Sequence, residues 1–201
     1  MTQNRKKIPL FPLNTVLFPG GQLPLRIFEP RYLDMVSDCM KHESDFGICS
    51  IKSGSETGMA PEIYNIGTLC DISYFNMQSD GLLGITANGK QRFQIIDKTV
   101  MDNQLIVATI EELEMEPSVP IELKYAPTVT LLENLFQQLG QPYTRMKKHY
   151  ECCSWVSSRL TELLPIELAK KQAFLEMDDP LSRIEAIWIL LQSLAKSKES
   201  A

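Results

Sequence analysis

Residues 8–32 read IPLFPLNTVLFPGGQLPLRIFEPRY, and this stretch decides the fold of the first half of the chain. It is rich in apolar residues, but its repeated prolines exclude one long helix, because each lacks a backbone donor and blocks helical continuation. The stretch therefore predicts two short strands, residues 8–13 and 23–28, joined by a turn at Pro19-Gly20-Gly21. Since proline is confined to edge strands, bulges and strand starts, we expect both strands in an irregular, partly open barrel.

The composition is that of an ordinary globular protein. Of 201 residues, 44% are hydrophobic and 22% are charged, which suffices for one domain with a sizeable core or for two small lobes. No apolar run approaches the roughly 18 residues that cross a bilayer. Arg5-Lys6-Lys7 before an apolar stretch imitates a signal peptide, but prolines break that stretch and no cleavage site follows. We therefore expect neither export nor membrane association.

The cysteines indicate a reducing compartment. There are five of them, an odd count without C-x-x-C spacing, which argues against a disulfide framework and against a zinc site. Cys39, Cys49 and Cys70 lie in apolar patterns and are predicted to be small core residues, whereas Cys152 and Cys153 are adjacent. The expected location is the cytoplasm.

The chain is acidic, with a net charge of −5 at pH 7. Nucleic-acid binding draws much of its affinity from phosphate neutralisation, so this acidity disfavours nucleic acid as a partner. A basic set in the second half is interspersed with glutamates, which favours a solvated mixed face over an anion patch. The set consists of Arg145, Lys147, Lys148, Lys170 and Lys171.

Apolar periodicity assigns the remaining elements. A helix is expected to begin at Pro30 and to plug one end of the barrel, and residues 45–52 alternate as a strand does. A meander follows, with hairpin turns at Asp80-Gly81 and Asn88-Gly89. Its strands are expected at residues 66–77, 82–87, 91–100 and 105–110. Beyond an acidic linker, helices are expected at residues 128–139 and about 147–164, from Pro165, and after an Asp178-Asp179 cap at Pro180.

Three blocks of this sequence, in the same order, resemble the N-terminal substrate-binding domain of the Lon proteases, and most closely its free-standing bacterial form without other domains. The first block holds Ile8-Pro9-Leu10, Phe18-Pro19-Gly20, Leu23-Pro24-Leu25 and Phe28-Glu29-Pro30-Arg31-Tyr32. The second holds Gly67-Thr68-Leu69, Asp80-Gly81 and Gly89-Lys90-Gln91-Arg92-Phe93. The third runs from Leu164-Pro165-Ile166-Glu167-Leu168 to Arg183-Ile184.

This resemblance implies an α+β fold, with a PUA-like mixed β-barrel lobe over residues 1–117 and an α-helical bundle lobe over residues 118–201. It also implies a non-catalytic module that recognises exposed apolar segments of partly unfolded proteins. Unfolded or partly folded polypeptides are then the expected partners, and a separate protease or chaperone is a further one. Because PUA-like barrels of other families bind RNA, an RNA-binding or RNA-regulatory module is the alternative.

No motif indicates catalysis. Residues 84–90, GITANGK, fit the phosphate-binding G-x-x-x-x-G-K pattern, but Gln91 replaces the required Ser or Thr and a strand follows, so a hairpin turn is the preferred interpretation. The two histidines, His42 and His149, lie far apart in polar settings, and neither metal nor cofactor is expected. The ATPase and protease modules of full-length Lon have no counterpart among the motifs.

The candidate binding residues are charged or aromatic side chains within apolar motifs. For the charged ones, the alternatives are paired structural charges at a barrel seam and the polar rim of a binding groove. For the aromatic ones, packing is the usual explanation, but strand alternation places Tyr74 and Phe75 on opposite faces, so that one is exposed. The set consists of Arg26, Phe28, Glu29, Arg31, Tyr74, Phe75 and Arg92.

Overall fold

In the residues that the structure describes, six strands and five α-helices form an α+β fold. The computed structural model describes residues 5–77 and 81–199, with side chains up to residue 194. The strands are β1 (Arg5–Leu13), β2 (Gln22–Ile27), β3 (Phe46–Ser53), β4 (Glu62–Met77), β5 (Leu83–Val100) and β6 (Ile106–Glu112). The helices are α1 (Pro30–His42), α2 (Ala126–Leu139), α3 (Cys153–Leu163), α4 (Leu168–Leu175) and α5 (Pro180–Glu199).

The sheet closes on itself. Its strand order is β2-β5-β4-β3-β1-β6. A further pairing between β5 and β6 closes the strands from β5 to β6 into a ring. Strand β5 makes this possible by its length, since its first half pairs with β2 and its second half with β6. β2 is left outside the ring as an edge strand, as its proline predicts.

Strand β1 as a whole is not an edge strand, although each of its prolines occupies a position that is unpaired on one side. β1 lies between β3 and β6, where Pro9 pairs with Val107 and Pro12 with Cys49. The reason is a staggered arrangement, because the β6 pairing ends at Leu10 and the β3 pairing begins there. Each proline therefore lies where β1 has a partner on one side only. Its lack of an N–H then falls on the unpaired side, where no ladder hydrogen bond is lost.

The predicted hairpin turn at Asn88-Gly89 is wrong. Both residues lie inside β5, at a register shift where Cys70 pairs with Gly89. A Cβ atom on Gly89 would lie 2.2 Å from the carbonyl oxygen of Phe18. Glycine therefore stands here because the Phe18 backbone approaches closely, and not because the chain turns. The Gly89 N–H donates to the carbonyl of Gly21 at 2.9 Å. The turn predicted at Asp80 lies outside the described residues.

Two apolar clusters fill the first part of the chain, and β3 supplies both. Phe46 and Ile48 pack in the cluster that includes the buried face of α1, whereas Cys49 packs in the cluster around Phe93. Alternation along β3 is thus confirmed, although both faces are buried. α1 begins with Pro30 at its first position, as predicted, and packs on the first cluster.

The helices of the second half differ from prediction at two starts. α4 begins at Leu168 instead of at Pro165, and residues 165–167 are not helical. α3 begins at Cys153 instead of about residue 147, and the preceding residues form turns. Tyr150, whose spacing suggested a helical stripe, instead packs edge-on against Trp155, with ring centroids 5.4 Å apart. The Asp179 cap of α5 is confirmed, since its carboxylate accepts the N–H groups of Leu181 and Ser182 at 3.1 and 3.0 Å.

The chain divides into two compact units. The first contains the residues up to Met115 together with Leu168–Leu175, so that α4 groups with the strands. The second contains Glu116–Glu167 and the residues from Glu176 onward, where α3 packs on α2 and α5. The lobe boundary predicted after residue 117 stays a prediction. Among the described residues, no helix has the length and apolarity needed to cross a membrane.

Candidate functional site

Three antiparallel strand segments extend from the closed sheet as a ribbon. The ribbon consists of β2, residues 83–88 of β5, and residues 71–77 of β4. Its cross-strand rows include Leu25, Ile85 and Phe75, and Ile27, Leu83 and Met77. Residues directly opposite one another share a face, so these rows form one apolar face. The β2 and β5 members of these rows pack on the α1 cluster.

The β4 side of the ribbon exposes its large apolar side chains. Tyr74 is 59% exposed, Phe75 56% and Met77 69%. On the other side of the ribbon, Phe28, just after β2, is 56% exposed. Tyr74 lies in a row with Thr86 and Pro24, opposite in face to Phe75. Sequence alternation predicted the opposite faces and one exposed ring, but both rings are exposed. A group of exposed apolar side chains of this kind is typical of an interaction site.

One edge of β4 is open along the ribbon. Pairing between β3 and β4 ends at Phe46 and Cys70, whereas pairing between β4 and β5 continues to Met77 and Leu83. Within the described ranges, no strand pairs with the other side of residues 71–77. We call this segment the open edge. The outer edge of β2 carries Pro24, which lacks a donor, but no proline interrupts the open edge.

A small pocket lies beside Phe28. It has a volume of about 290 Å³, and its lining includes Arg26, Phe28 and Glu29 together with the stacked rings of Phe11 and Tyr32. Burial raises the pKa of Tyr32 to about 12, against the opposing effect of the neighbouring Arg31 cation. The phenol therefore stays neutral at physiological pH. The pocket thus brings together three of the predicted binding residues, Arg26, Phe28 and Glu29.

Arg31 is buried and has a structural role. Its Nη1–H donates to the carbonyl of Gln104 at 2.8 Å, and Nη2 lies 3.0 Å from Oε2 of Glu29. The guanidinium also lies over the ring of Tyr32, 4.6 Å from its centroid. A side chain enclosed in this way fixes the start of α1 and offers little surface to a ligand.

Arg92 is buried as well. Its Nη1–H donates to the carbonyl of Leu175 at 2.8 Å, which ties the end of α4 to β5. Gln172 ties α4 to β4 in a similar way, since its Nε2–H donates to the carbonyl of Ile66 at 3.0 Å. For Arg31 and Arg92, the structure therefore favours the first of the two sequence alternatives, structural charges, while Tyr74 and Phe75 remain accessible.

Sequence reasoning missed the open edge and the residues that flank it. The signal for Met77 was present, because it continues the alternation of Phe75 along β4. The end of α1, with Met40 and Glu43, carries no sequence signal that places it beside β4. These residues line a second cavity with Asp71 and Phe75.

Four of the cysteines are buried thiols, Cys39, Cys49, Cys70 and Cys153. Burial raises the pKa of Cys49 to about 12 and that of Cys153 to about 11, so both remain protonated at neutral pH. Cys39 and Cys70 are buried, as predicted, and the pKa of each is raised by burial. In the part of the chain that the structure describes, no cluster of three or more His, Cys, Asp or Glu side chains could hold a metal ion.

Comparisons with solved structures support the fold. The Lon N-terminal domain protein of Xanthomonas campestris superposes with a TM-score of 0.74 at 33% identity, over 92% of this chain and 98% of that one. The N-terminal domain of the Mycobacterium avium complex Lon protease superposes with a TM-score of 0.51 at 13% identity, over 90% and 95% of the two chains. The second similarity concerns the fold alone.

Curated relatives are longer proteins. The Lon protease of Cytophaga hutchinsonii is 26% identical over 192 residues, which are 91% of this chain and 23% of that protein. The Lon protease of Parabacteroides distasonis is 32% identical over 100 residues, 49% of this chain and 12% of that protein. The chain thus matches less than a quarter of the length of these relatives. These similarities give no support to the RNA-binding alternative.

The family described as the ATP-dependent protease La (LON) substrate-binding domain matches residues 7–193. This match covers the ribbon, the open edge and most of both compact units. It agrees with the sequence resemblance carried by the three blocks. The chain belongs to the family of Lon substrate-binding domains.

Proposed function

We propose that this domain binds exposed apolar segments of partly unfolded proteins at the β4 side of the ribbon. The observation that carries the proposal is the exposure of Tyr74, Phe75 and Met77 beside an edge of β4 with no strand partner in the described ranges. Apolar side chains contribute affinity when they leave water, and an open strand edge supplies donors and acceptors to an extended chain. The family's substrate-recognition role fits this chemistry.

Phe28 and the pocket beside it extend the proposed surface. A pocket of about 290 Å³ accommodates one apolar side chain rather than a large ligand, and Arg26 and Glu29 give it a polar rim. Specificity for one sequence is not expected of such a surface. A protein that recognises unfolded chains needs this tolerance.

The remaining expectations form part of the same proposal. The domain acts by binding alone, without catalysis, in the cytoplasm, and delivers or holds polypeptides for a separate protease or chaperone. A PUA-like barrel in the first unit and a helical bundle in the second are the proposed architecture. The absence of a nucleophilic motif in the sequence and the raised thiol pKa values support a non-catalytic role.

The test is a titration followed by fluorescence anisotropy. A labelled, permanently unfolded polypeptide is expected to bind the unaltered protein with a much weaker salt dependence than nucleic-acid binding shows, because apolar contacts contribute most of the affinity. Phe75→Ala combined with Tyr74→Ala is expected to weaken binding by about tenfold or more, since interface aromatics often contribute above ~1 kcal/mol each. Circular dichroism confirms that the variant is folded.

Leu123→Ala is the matched control. Among the described side chains, Leu123 is the most exposed large apolar one, at 89%. It belongs to the second unit, so its removal is expected to leave affinity unchanged. A labelled single-stranded RNA is titrated in parallel. The proposal fails if the polypeptide does not bind, if Leu123→Ala weakens binding as much as the double variant does, or if RNA binds instead.

A further inference from the structure

A groove runs along the open edge, where β3 leaves β4. Its volume is about 550 Å³. The end of α1 and the segment after it form one wall with Met40, Glu43 and Asp45, and the open edge forms the other with Asp71 and Phe75. All of these residues belong to the first compact unit. We call this feature the acidic groove.

The backbone of the acidic groove is complementary to an extended chain. Residues 71–77 are in strand conformation and pair with β5 on one side only within the described ranges. An edge of this kind accepts a further strand, whose main chain supplies the missing partners. A helix, or a folded surface without an open strand edge of its own, has no free backbone groups to offer such an edge. The geometry therefore specifies an extended polypeptide segment.

The charge of the groove selects among such segments. The charged side chains that line it are the carboxylates of Glu43, Asp45 and Asp71 and the amine of Lys90. The Lys90 amine lies 2.8 Å from Oδ1 of Asp45, and this hydrogen bond is the main reason that the pKa of Lys90 is raised. Two carboxylates are thus in excess of the cation.

The end of α1 adds to this negative potential. The last carbonyls of a helix carry partial negative charge, and α1 ends at the wall of the groove. Glu43 stands at the C-cap, where its N–H donates to the carbonyl of Cys39. Lys41 and His42 lie in the last turn, but neither lines the groove. A cationic side chain in the groove would therefore be favourably placed.

Apolar surface lies next to these charges. Phe75 lines the groove and is more than half exposed, and Met40 on the opposite wall is partly exposed. Ile72 forms part of the floor and packs on the α1 cluster. An occupant that covers this surface needs apolar side chains beside its basic ones.

We propose that the acidic groove takes an extended polypeptide segment in which apolar residues stand beside Lys or Arg, by strand addition to the open edge of β4. This inference rests on the proposed function and specifies its mode and its substrate chemistry. Basic-apolar stretches are then preferred over acidic-apolar ones of the same hydrophobicity. A second copy of the chain, added edge to edge, is a different occupant and an outcome of the test.

The experiment uses three short labelled peptides and the full chain. The first alternates Lys with Val or Phe, and the second has Glu in place of Lys. The third is the first with backbone N-methylation at every second residue, prepared in two versions that methylate alternate registers. The first is expected to bind more tightly than the second by on the order of tenfold, because like charges repel in the groove. N-methylation in the register that faces β4 is expected to abolish binding, whereas methylation in the other register is expected to be tolerated.

Charge reversal supplies the protein variants. Glu43→Lys is expected to weaken the Lys peptide and strengthen the Glu peptide, while Glu114→Lys, the same change at an exposed residue outside the groove, leaves both unchanged. The inference is overturned if the unfolded polypeptide binds but neither peptide charge nor N-methylation matters, an outcome that leaves the proposed function intact. It is also overturned if sedimentation shows a dimer that Phe75→Ala dissociates. Failure of the unfolded polypeptide itself to bind contradicts the proposed function.

Discussion

Replacing Arg183 by methionine is expected to lower the free energy of unfolding by about 3–5 kcal/mol, the cost of breaking a buried ion pair from one side. Arg183 is fully buried on α5 and forms a two-fold contact with the Glu116 carboxylate, with Nη1 2.7 Å from Oε1. Its Nε–H also donates to Oγ of Ser157 at 3.0 Å. The change would leave a buried carboxylate without its cation. Urea denaturation followed by circular dichroism measures the loss.

Two controls separate the ion pair from general effects. Arg183→Met combined with Glu116→Met removes both charges and is expected to recover a large part of the loss, because no charge is left uncompensated. Arg145→Met changes an exposed arginine of the same unit and is expected to alter stability by less than about 0.5 kcal/mol. A loss below ~1 kcal/mol for Arg183→Met, or a double variant that is less stable than the single one, would contradict this account.

Phe93→Ala is expected to lower the free energy of unfolding by about 3–5 kcal/mol, because it removes a fully buried ring and leaves a cavity in the core. Phe93 is fully buried at the centre of the second apolar cluster. Two glycines make room for its ring. A Cβ atom on Gly47 would lie 2.7 Å from Cζ of Phe93, and one on Gly67 would lie 2.8 Å from it. Thermal and urea denaturation measure the effect.

Val100→Ala is the matched control for Phe93→Ala. Val100 lies on the same strand but is half exposed, so its truncation is expected to cost less than about 1 kcal/mol. The complementary change Gly67→Ala is also expected to destabilise, because its Cβ would meet the carbonyl oxygen of Ile48 at 2.5 Å, and a backbone atom cannot easily move aside. If Phe93→Ala and Val100→Ala cost the same, the central role given to the Phe93 ring is wrong.

Local patterns predicted most strands and the start of α1, because these depend on residues close in sequence. The errors lie where a distant segment decides the outcome. Asn88-Gly89 has the chemistry of a hairpin turn, but the backbone of Phe18 approaches Gly89 and makes it part of a long strand. Pro9 and Pro12 have the chemistry of an edge strand, but the stagger of two partners accommodates them inside the sheet.

The candidate site was predictable to a similar extent. Alternation placed Tyr74 and Phe75 on opposite faces, but their joint exposure depends on where the β3 pairing ends, which the sequence of β4 does not contain. Arg92 stands in an apolar motif, but its partner is the carbonyl of Leu175, 83 positions away. Nothing in the sequence indicated that Glu116 forms a buried ion pair. It stands in a stretch that has the composition of an acidic linker, and its partner, Arg183, is distant in sequence.

Hydrogen–deuterium exchange of the full chain, with and without a saturating unfolded polypeptide, tests the central claim most directly. An added strand protects the backbone groups that it pairs with, so exchange is expected to slow at residues 71–77 and around Phe28, while the second unit stays unchanged. Slower exchange confined to the second unit, or unchanged exchange at residues 71–77 under saturation, would contradict the assignment of the binding surface to the ribbon.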